Sequence, residues 1–412
     1  MKKQTLALAG LVAAALAACG GGSSPSSQAP VFAATSGSVD VTGTRWSSVK
    51  FGGGGYVPGL IYHPTNPSLL YARTDVGGAY RWDPATSTWV SITDSFSGAE
   101  TFYSGGESLA LDPNDDQRVY MTAGQYASDD STGRLYISKD RGNSWTHVDL
   151  PFAIGSNNQG RAIGERMMVD PNNSSILFYG SRKAGLWKST DYGQTWNQVT
   201  SLSTNKMNQD QINTYGWGNA AAGVEGILFD TNTHGGGGAT QTIYTAVAPD
   251  YANASGMGFN LYKSTDGGAT WSGVQTPVSG YYIPHMVRAK DGMIYVAFTQ
   301  GMGPGANGAA ALYKFDGTNW TLLKSYQPSQ WLNFGIGGLS VSGSGATTRI
   351  ALGVTNSWVT GRASRCCNCP MTAATRGAKS RRRCRIRRTA PASPAGWTTS
   401  RSIRPIQTTS CT

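Results

Sequence analysis

The sequence predicts an all-β protein, a β-propeller of four-stranded blades, on three observations. Pairs of short apolar runs recur every roughly 50–60 residues, the spacing of propeller blades. The pattern S-x-D-x-G-x-[ST]-W occurs three times, as SKDRGNSW (138–145), STDYGQTW (189–196) and STDGGATW (264–271). The 412 residues hold 54 Gly and 12 Trp, and Gly, Pro and Asn turns interrupt runs too short for helices.

In chain order, residues 1–19 read as a lipoprotein-type signal peptide. A basic MKK start and an apolar stretch end in Leu16-Ala17-Ala18-Cys19, where Cys19 is the expected lipidation site. Residues 20–44 read as a flexible Gly/Ser/Pro tether. The protein is therefore expected to be exported, either secreted or held at the bacterial envelope by a lipid on Cys19 alone. Residues 45–358 are the expected propeller domain, about five complete blades and part of a sixth. Its strand pairs are GLIYHPTNPSLLYART (59–74), SLALDPNDDQRVYMTAG (108–124), RMMVDPNNSSILFYGS (166–181) and GILFDTNTHGGGGATQTIYTAV (226–247), with weaker copies at 286–298 and 338–354. RWSSVKF (45–51) has the pattern of a fourth strand and is expected to close the last blade.

Residues 359–412 differ in kind. They carry 12 of the 34 Lys and Arg, no Asp or Glu, and five of the six Cys. The net charge of +11 thus belongs to the tail, and the body, with 22 basic and 23 acidic residues, is near neutral. That argues against nucleic acid as a partner. With no cysteine between Cys19 and Trp358, the body has no disulfide framework and no thiolate metal site. The switch inside the sixth repeat is read as a shifted reading frame or a truncated gene, with a disordered tail.

Asp140, Asp191 and Asp266 lie in the three S-x-D-x-G turns and are expected to serve structure. Their carboxylates can accept backbone N–H bonds, while Gly142, Gly193 and Gly268 supply positive φ. Asp75, in YARTDVGGAYRW (71–82), is different. Strand alignment puts it between the second and third strands of the first blade, and consecutive turns lie at opposite strand ends. Asp75 therefore faces the rim opposite the three Asp turns. The loops expected on that rim carry Tyr56, Tyr103, Trp217, Tyr281, Tyr282 and Trp331, flat faces suited to stacking on sugar rings. They also carry Glu107, Glu165 and Glu225.

The stretches FGGGGYVPGLIYHPTNPSLLYARTDVGGAYRWDPATSTWVSITD, RMMVDPNNSSILFYGSRKAGLWKSTDYGQTW and NLYKSTDGGATW resemble glycoside hydrolase family 74, over roughly 45–358. The S-x-D-x-G-x-[ST]-W turns likewise resemble the Asp-boxes of sialidases and other propellers. The family resemblance implies two seven-bladed propellers facing across a cleft, and inverting hydrolysis of the β-1,4-glucan backbone of xyloglucan by a monomer. It implies that Asp75 is the general base and that Trp331 binds backbone glucose. It implies no metal or organic cofactor. An inverting enzyme needs a second carboxyl as acid; the resemblance puts that acid in a second propeller, which this sequence does not carry. The chain is accordingly expected to be weakly active or inactive. Two other readings are a glucan-binding propeller without turnover and a sialidase, for which scattered Arg73, Arg166 and Arg288 give little support.

Overall fold

Alternation of side chains along the apolar runs decides how the sheets pack. In a computed structural model, which describes residues 53–96, 98–127, 131–202, 221–235, 238–250, 259–301, 308–327, 335–355 and 371–372, the runs form antiparallel sheets in sequence order. Blade one is β1 (Gly59–Tyr62), β2 (Leu70–Arg73), β3 (Ala79–Asp83) and β4 (Thr88–Ser91). Blade two is β5 (Gly106–Asp112), β6 (Asp115–Ala123), β7 (Arg134–Ser138) and β8 (Thr146–Asp149). Blade three is β9 (Met167–Val169), β10 (Leu177–Gly180), β11 (Leu186–Ser189) and β12 (Asn197–Gln198). Blade four is β13 (Ala221–Phe229), β14 (Ile243–Asp250), β15 (Leu261–Ser264) and β16 (Ser272–Gly273). Blade five is β17 (Tyr282–Arg288), β18 (Ile294–Thr299), β19 (Ala310–Phe315) and β20 (Trp320–Tyr326). The sixth sheet is β21 (Gly335–Ser342), β22 (Arg349–Thr355) and β23 (Met371–Thr372).

Each core cluster is shared by two consecutive blades. Val119 and Met121 of β6 pack with Tyr71 and Ala79 of blade one, while Tyr120 between them packs with Leu177 and Tyr179 of blade three. This is the period-2 alternation of a strand buried on both faces. The same sharing joins blades three and four through Phe178 and Phe229, and blades four and five through Leu228 and Phe298. A propeller arises because no blade can bury both faces alone.

The turns follow from local chemistry. Asp112 and Asp170 of the D-P-N turns each accept the N–H two residues on, at 3.0 and 2.9 Å. At the next turn on the same rim, Asp191 Oδ1 accepts the Ser189 hydroxyl at 2.7 Å and the Thr195 N–H at 2.9 Å, and its Oδ2 accepts the Thr195 hydroxyl at 2.6 Å. Asp140 and Asp266 repeat these bonds. Gly193 has φ +84° and its N–H donates to Ser189 Oγ at 2.9 Å.

Six sheets are described, five with four strands and one with three. The third strand of the sixth, β23, lies within 359–412, where composition shows no blade pattern. Its pairing, Arg349 with Thr372 and Ile350 with Met371, uses main-chain groups and so does not depend on that pattern. One feature is common to four innermost strands. A bulge falls at Glu107 in β5, at Glu225 in β13, between Tyr282 and His285 in β17 and between Ile336 and Gly338 in β21. It sits toward the end that enters each blade, where the strands approach the Asp75 rim.

Candidate active site

Thr74 closes the β2–β3 turn and leaves Asp75 free of it. The Thr74 hydroxyl donates to Gly78 O at 2.8 Å and accepts the Gly77 N–H at 2.8 Å, and Gly78 adopts φ +79°. The Asp75 carboxylate turns instead toward neighbouring segments. Its Oδ1 accepts the Tyr56 N–H at 2.8 Å, and its Oδ2 lies 3.3 Å from Arg161 Nε. The backbone is held as tightly. Asp75 N–H donates to Tyr56 O at 3.1 Å, and Asp75 O accepts the Ser156 hydroxyl at 2.7 Å. Tyr56 precedes β1, whereas Ser156 and Arg161 lie in the β8–β9 connection, so three segments of one rim converge on one carboxyl. Its side chain keeps 8 % of its surface exposed.

Close backbone approach fixes the glycines around it. A Cβ on Gly105 would stand 2.0 Å from Asp75 O, and one on Gly77 would stand 2.0 Å from Gly54 O. No larger residue fits without moving main chain.

Beneath Asp75 lies a buried ionic layer. Arg73 Nε donates to Glu165 Oε1 at 2.8 Å, and Glu165 Oε2 accepts the Ser108 hydroxyl and the Leu109 N–H at 2.7 and 2.8 Å. Glu107 is enclosed. Burial pushes its pKa up, but Arg182 and Arg166, with hydrogen bonds from Tyr179 at 2.7 Å and Gly155 at 3.1 Å, outweigh this and hold it at about 2. Glu225 is also enclosed, yet burial prevails over Arg166 and lifts it to about 7. Its Oε2 has a 3.4 Å contact from the Ile283 N–H, and its Oε1 has no hydrogen-bond partner among the described residues. Glu107 and Glu225 thus belong to the sheet interior and not to the open rim on which the sequence placed them.

The aromatic residues divide. Tyr56 is half-buried beside Asp75, and burial raises its phenol pKa, partly offset by Arg161 and Arg73. Tyr103 is half-buried with the Arg134 guanidinium 4.1 Å from its ring centroid. Tyr281 packs against the core between blades four and five. Tyr282 corrects an expectation: it is 2 % exposed, packed with Ile163, Ala222 and Ala248, and offers no face to a ligand. Its place on β17 decides this, because it starts the strand and points inward. Trp217, Trp331 and Cys19 lie outside the described residues. Arg161, which no repeat or motif marks in the sequence, is the contact the structure adds.

Among the described residues no group of three or more His, Cys, Asp or Glu is placed to hold a metal ion. A hollow of about 430 Å³ lies on the rim of the Asp turns, lined by Arg81, Asp140, Arg141 and Asn143 among others, away from Asp75. There Arg81 donates to Arg141 O at 2.6 Å and Asn143 Oδ1 at 3.2 Å. These bonds tie blade one to blade two.

No family model matches the chain. Among curated proteins it is 40 % identical over 321 residues to a xyloglucanase of a Paenibacillus species, covering 76 % of this chain and 30 % of that protein. It is 38 % identical over 323 residues to a xyloglucanase of Hypocrea jecorina, covering 76 % of this chain and 37 % of that one. The fold superposes on the crystal structure of the GH74 enzyme of Niastella koreensis with a TM-score of 0.63 and 38 % identity, over 75 % of this chain and 42 % of that one. The chain spans about a third of the length of the curated relatives it matches. These likenesses are at least 38 % identical over about three quarters of this chain, and the chain belongs to glycoside hydrolase family 74.

Proposed function

We propose that this propeller carries the base side of a xyloglucan-cleaving site, with Asp75 as general base of an inverting glycoside hydrolysis. The observation that carries the reading is the Asp75 carboxyl, presented on the rim opposite Asp140, Asp191 and Asp266 and fixed by Tyr56 N–H and Arg161. In the reaction, Asp75 takes a proton from water as the water oxygen bonds to the anomeric carbon. The glycosidic C–O bond breaks, and a second carboxyl, roughly 6.5–9.5 Å away, protonates the leaving oxygen. Glu107 and Glu225 are enclosed and cannot reach it. The family likeness supports a second propeller as the source of that acid.

The finer features of the reading follow the same likeness. The propeller is taken as part of a seven-bladed ring, its three Asp turns as Asp-boxes, and the protein as an exported monomer anchored through Cys19 or secreted. A sialidase reading has less support. Arg73 is paired with Glu165, Arg166 reaches carbonyls of Ala222 and Val224, and Arg288 pairs with Asp230. These three are dispersed and engaged.

The test compares the full chain with Asp75→Asn on soluble xyloglucan, following binding by affinity electrophoresis and product anomers by NMR. Both proteins should bind. On a xyloglucan-oligosaccharide β-fluoride, whose leaving group needs no protonation by a second carboxyl, the parent should release the α-anomer first, and Asp75→Asn should lose at least about 10²-fold of that hydrolysis, the low end for a general base. Equal hydrolysis by both, or preference for sialyl-lactose over xyloglucan, would overturn the reading.

A further inference from the structure

Tyr126 is an aromatic ring left 42 % exposed on the Asp75 rim although its described neighbours Gln125 and Ala127 are tied down. It follows β6 in the loop to β7. The preceding Gln125 N–H donates to Phe102 O at 3.0 Å, and the following Ala127 N–H donates to Asn158 Oδ1 at 2.9 Å. Tyr126 O itself accepts the Ser131 hydroxyl at 2.9 Å. The ring is fixed at its far end, where Tyr126 OH accepts a hydrogen bond from Asn157 Nδ2 at 2.7 Å.

Asn157 connects this ring to Asp75. Arg161 Nη1 donates to Asn157 O at 2.6 Å and to Asn157 Oδ1 at 2.7 Å, and Arg161 Nε is the group 3.3 Å from Asp75 Oδ2. Tyr126, Asn157, Arg161 and Asp75 therefore form one continuous polar string along the rim.

We propose that Tyr126 is a substrate platform of the Asp75 site, its exposed face stacking on a hexopyranose ring of a β-glucan chain. This inference rests on the proposed function above. The physical basis is preorganisation. A tyrosine has an apolar body and a polar tip; here the tip is occupied by Asn157, so the face is what remains for a ligand. Binding would freeze little further motion, because backbone and hydroxyl are already held. Tyr192 is a contrast, since it is 41 % exposed on the other rim and has the Arg118 guanidinium 4.3 Å from its ring centroid.

The test is affinity electrophoresis of the full chain in gels containing soluble xyloglucan, with melting temperatures measured in parallel. Tyr126→Ala should weaken retention about five- to tenfold, the scale of one aromatic contact. Tyr126→Phe, which keeps the face, should stay within about threefold of the parent, and Tyr192→Asn should match the parent. All should melt with the parent. Parent-like binding by Tyr126→Ala would overturn the platform and leave the proposed function standing. Tyr126→Phe as weak as Tyr126→Ala would show that the hydroxyl, not the face, matters, and would also overturn it. A parent chain that xyloglucan does not retain would overturn the proposed function and the platform with it.

Discussion

Arg161 Nε stands 3.3 Å from Asp75 Oδ2, while the opposite oxygen of the same carboxyl is held by a main-chain N–H at 2.8 Å. One contact is set by the fold and the other by a single replaceable side chain. Arg161 is 27 % exposed and Asp75 8 %, so the pair lies between a surface bridge and a buried one. Arg161→Ala should cost about 1–2 kcal/mol in urea unfolding. In the Asp75→Asn background the same substitution should cost measurably less, because no charge is left without its partner. Strict additivity of the two changes would show that Arg161 acts on stability without Asp75.

The three Asp turns predict a loss confined to stability. Asp191→Ala removes the acceptor for Ser189 Oγ, Thr195 N–H and Thr195 Oγ, mostly at the surface. A loss of about 1–2 kcal/mol is expected, with binding of xyloglucan unchanged at temperatures where the protein is folded. Calorimetry and affinity electrophoresis together check this. Weaker sugar binding by folded Asp191→Ala would place that rim in the site.

What the sequence disclosed, and what it hid, follows from the range of the interactions. The blades were legible because alternation and turn chemistry are local: Asp112, Asp170 and Asp191 each accept a turn N–H from within four residues, although Asp112 and Asp170 also accept from distant Ser174 and Thr240. The placement of Asp75 was legible for the same reason, since it needed only the strand order around it. Its partners were not. Arg161 and Ser156 lie over eighty residues away, in a connection with no repeat. Tyr282 misled because an aromatic at a strand start looks the same whether it points to the loop or to the core. Glu107, Glu165 and Glu225 occupy equivalent repeat positions, yet only three-dimensional neighbours separate them: two arginines at Glu107, Arg73 at Glu165, and at Glu225 an oxygen without a partner among the described residues.

Glu225 should make the fold sensitive to pH near neutrality. Its pKa is raised from 4.5 to about 7 by burial, opposed by Arg166 and Arg182 and by the Ile283 N–H. The native state holds this proton more tightly than the unfolded chain does. Stability from this group is therefore full below about pH 4.5, declines as pH rises from there to 7, and is lost above it. The total is about 3 kcal/mol. Glu107, held at about 2, acts in the other direction and only at acid pH, its contribution being complete above 4.5. Urea midpoints between about pH 5 and 8 should fall more steeply with rising pH in the parent than in Glu225→Gln, since His285, whose pKa burial lowers, acts in the opposite sense in both. A parallel slope in both proteins would assign the effect to another group.

Gly105 gives the last prediction, because it joins the fold to the site through a single missing atom. A Cβ there would stand 2.0 Å from Asp75 O and 2.1 Å from Ser156 Oγ. The serine could turn away, but the carbonyl is part of the turn that presents Asp75, so main chain must move. Gly105→Ala should lower stability by about 1–3 kcal/mol, the range for overpacking a tight site. Adding Ser156→Ala should not restore it, since the backbone clash remains. Gly54→Ala is the matched control. A Cβ at Gly54 meets nothing within 4 Å, and its melting temperature should stay close to the parent's. If Ser156→Ala did restore Gly105→Ala, the serine hydroxyl and not the Asp75 carbonyl would be the obstacle, and the turn would have more room than its hydrogen bonds imply.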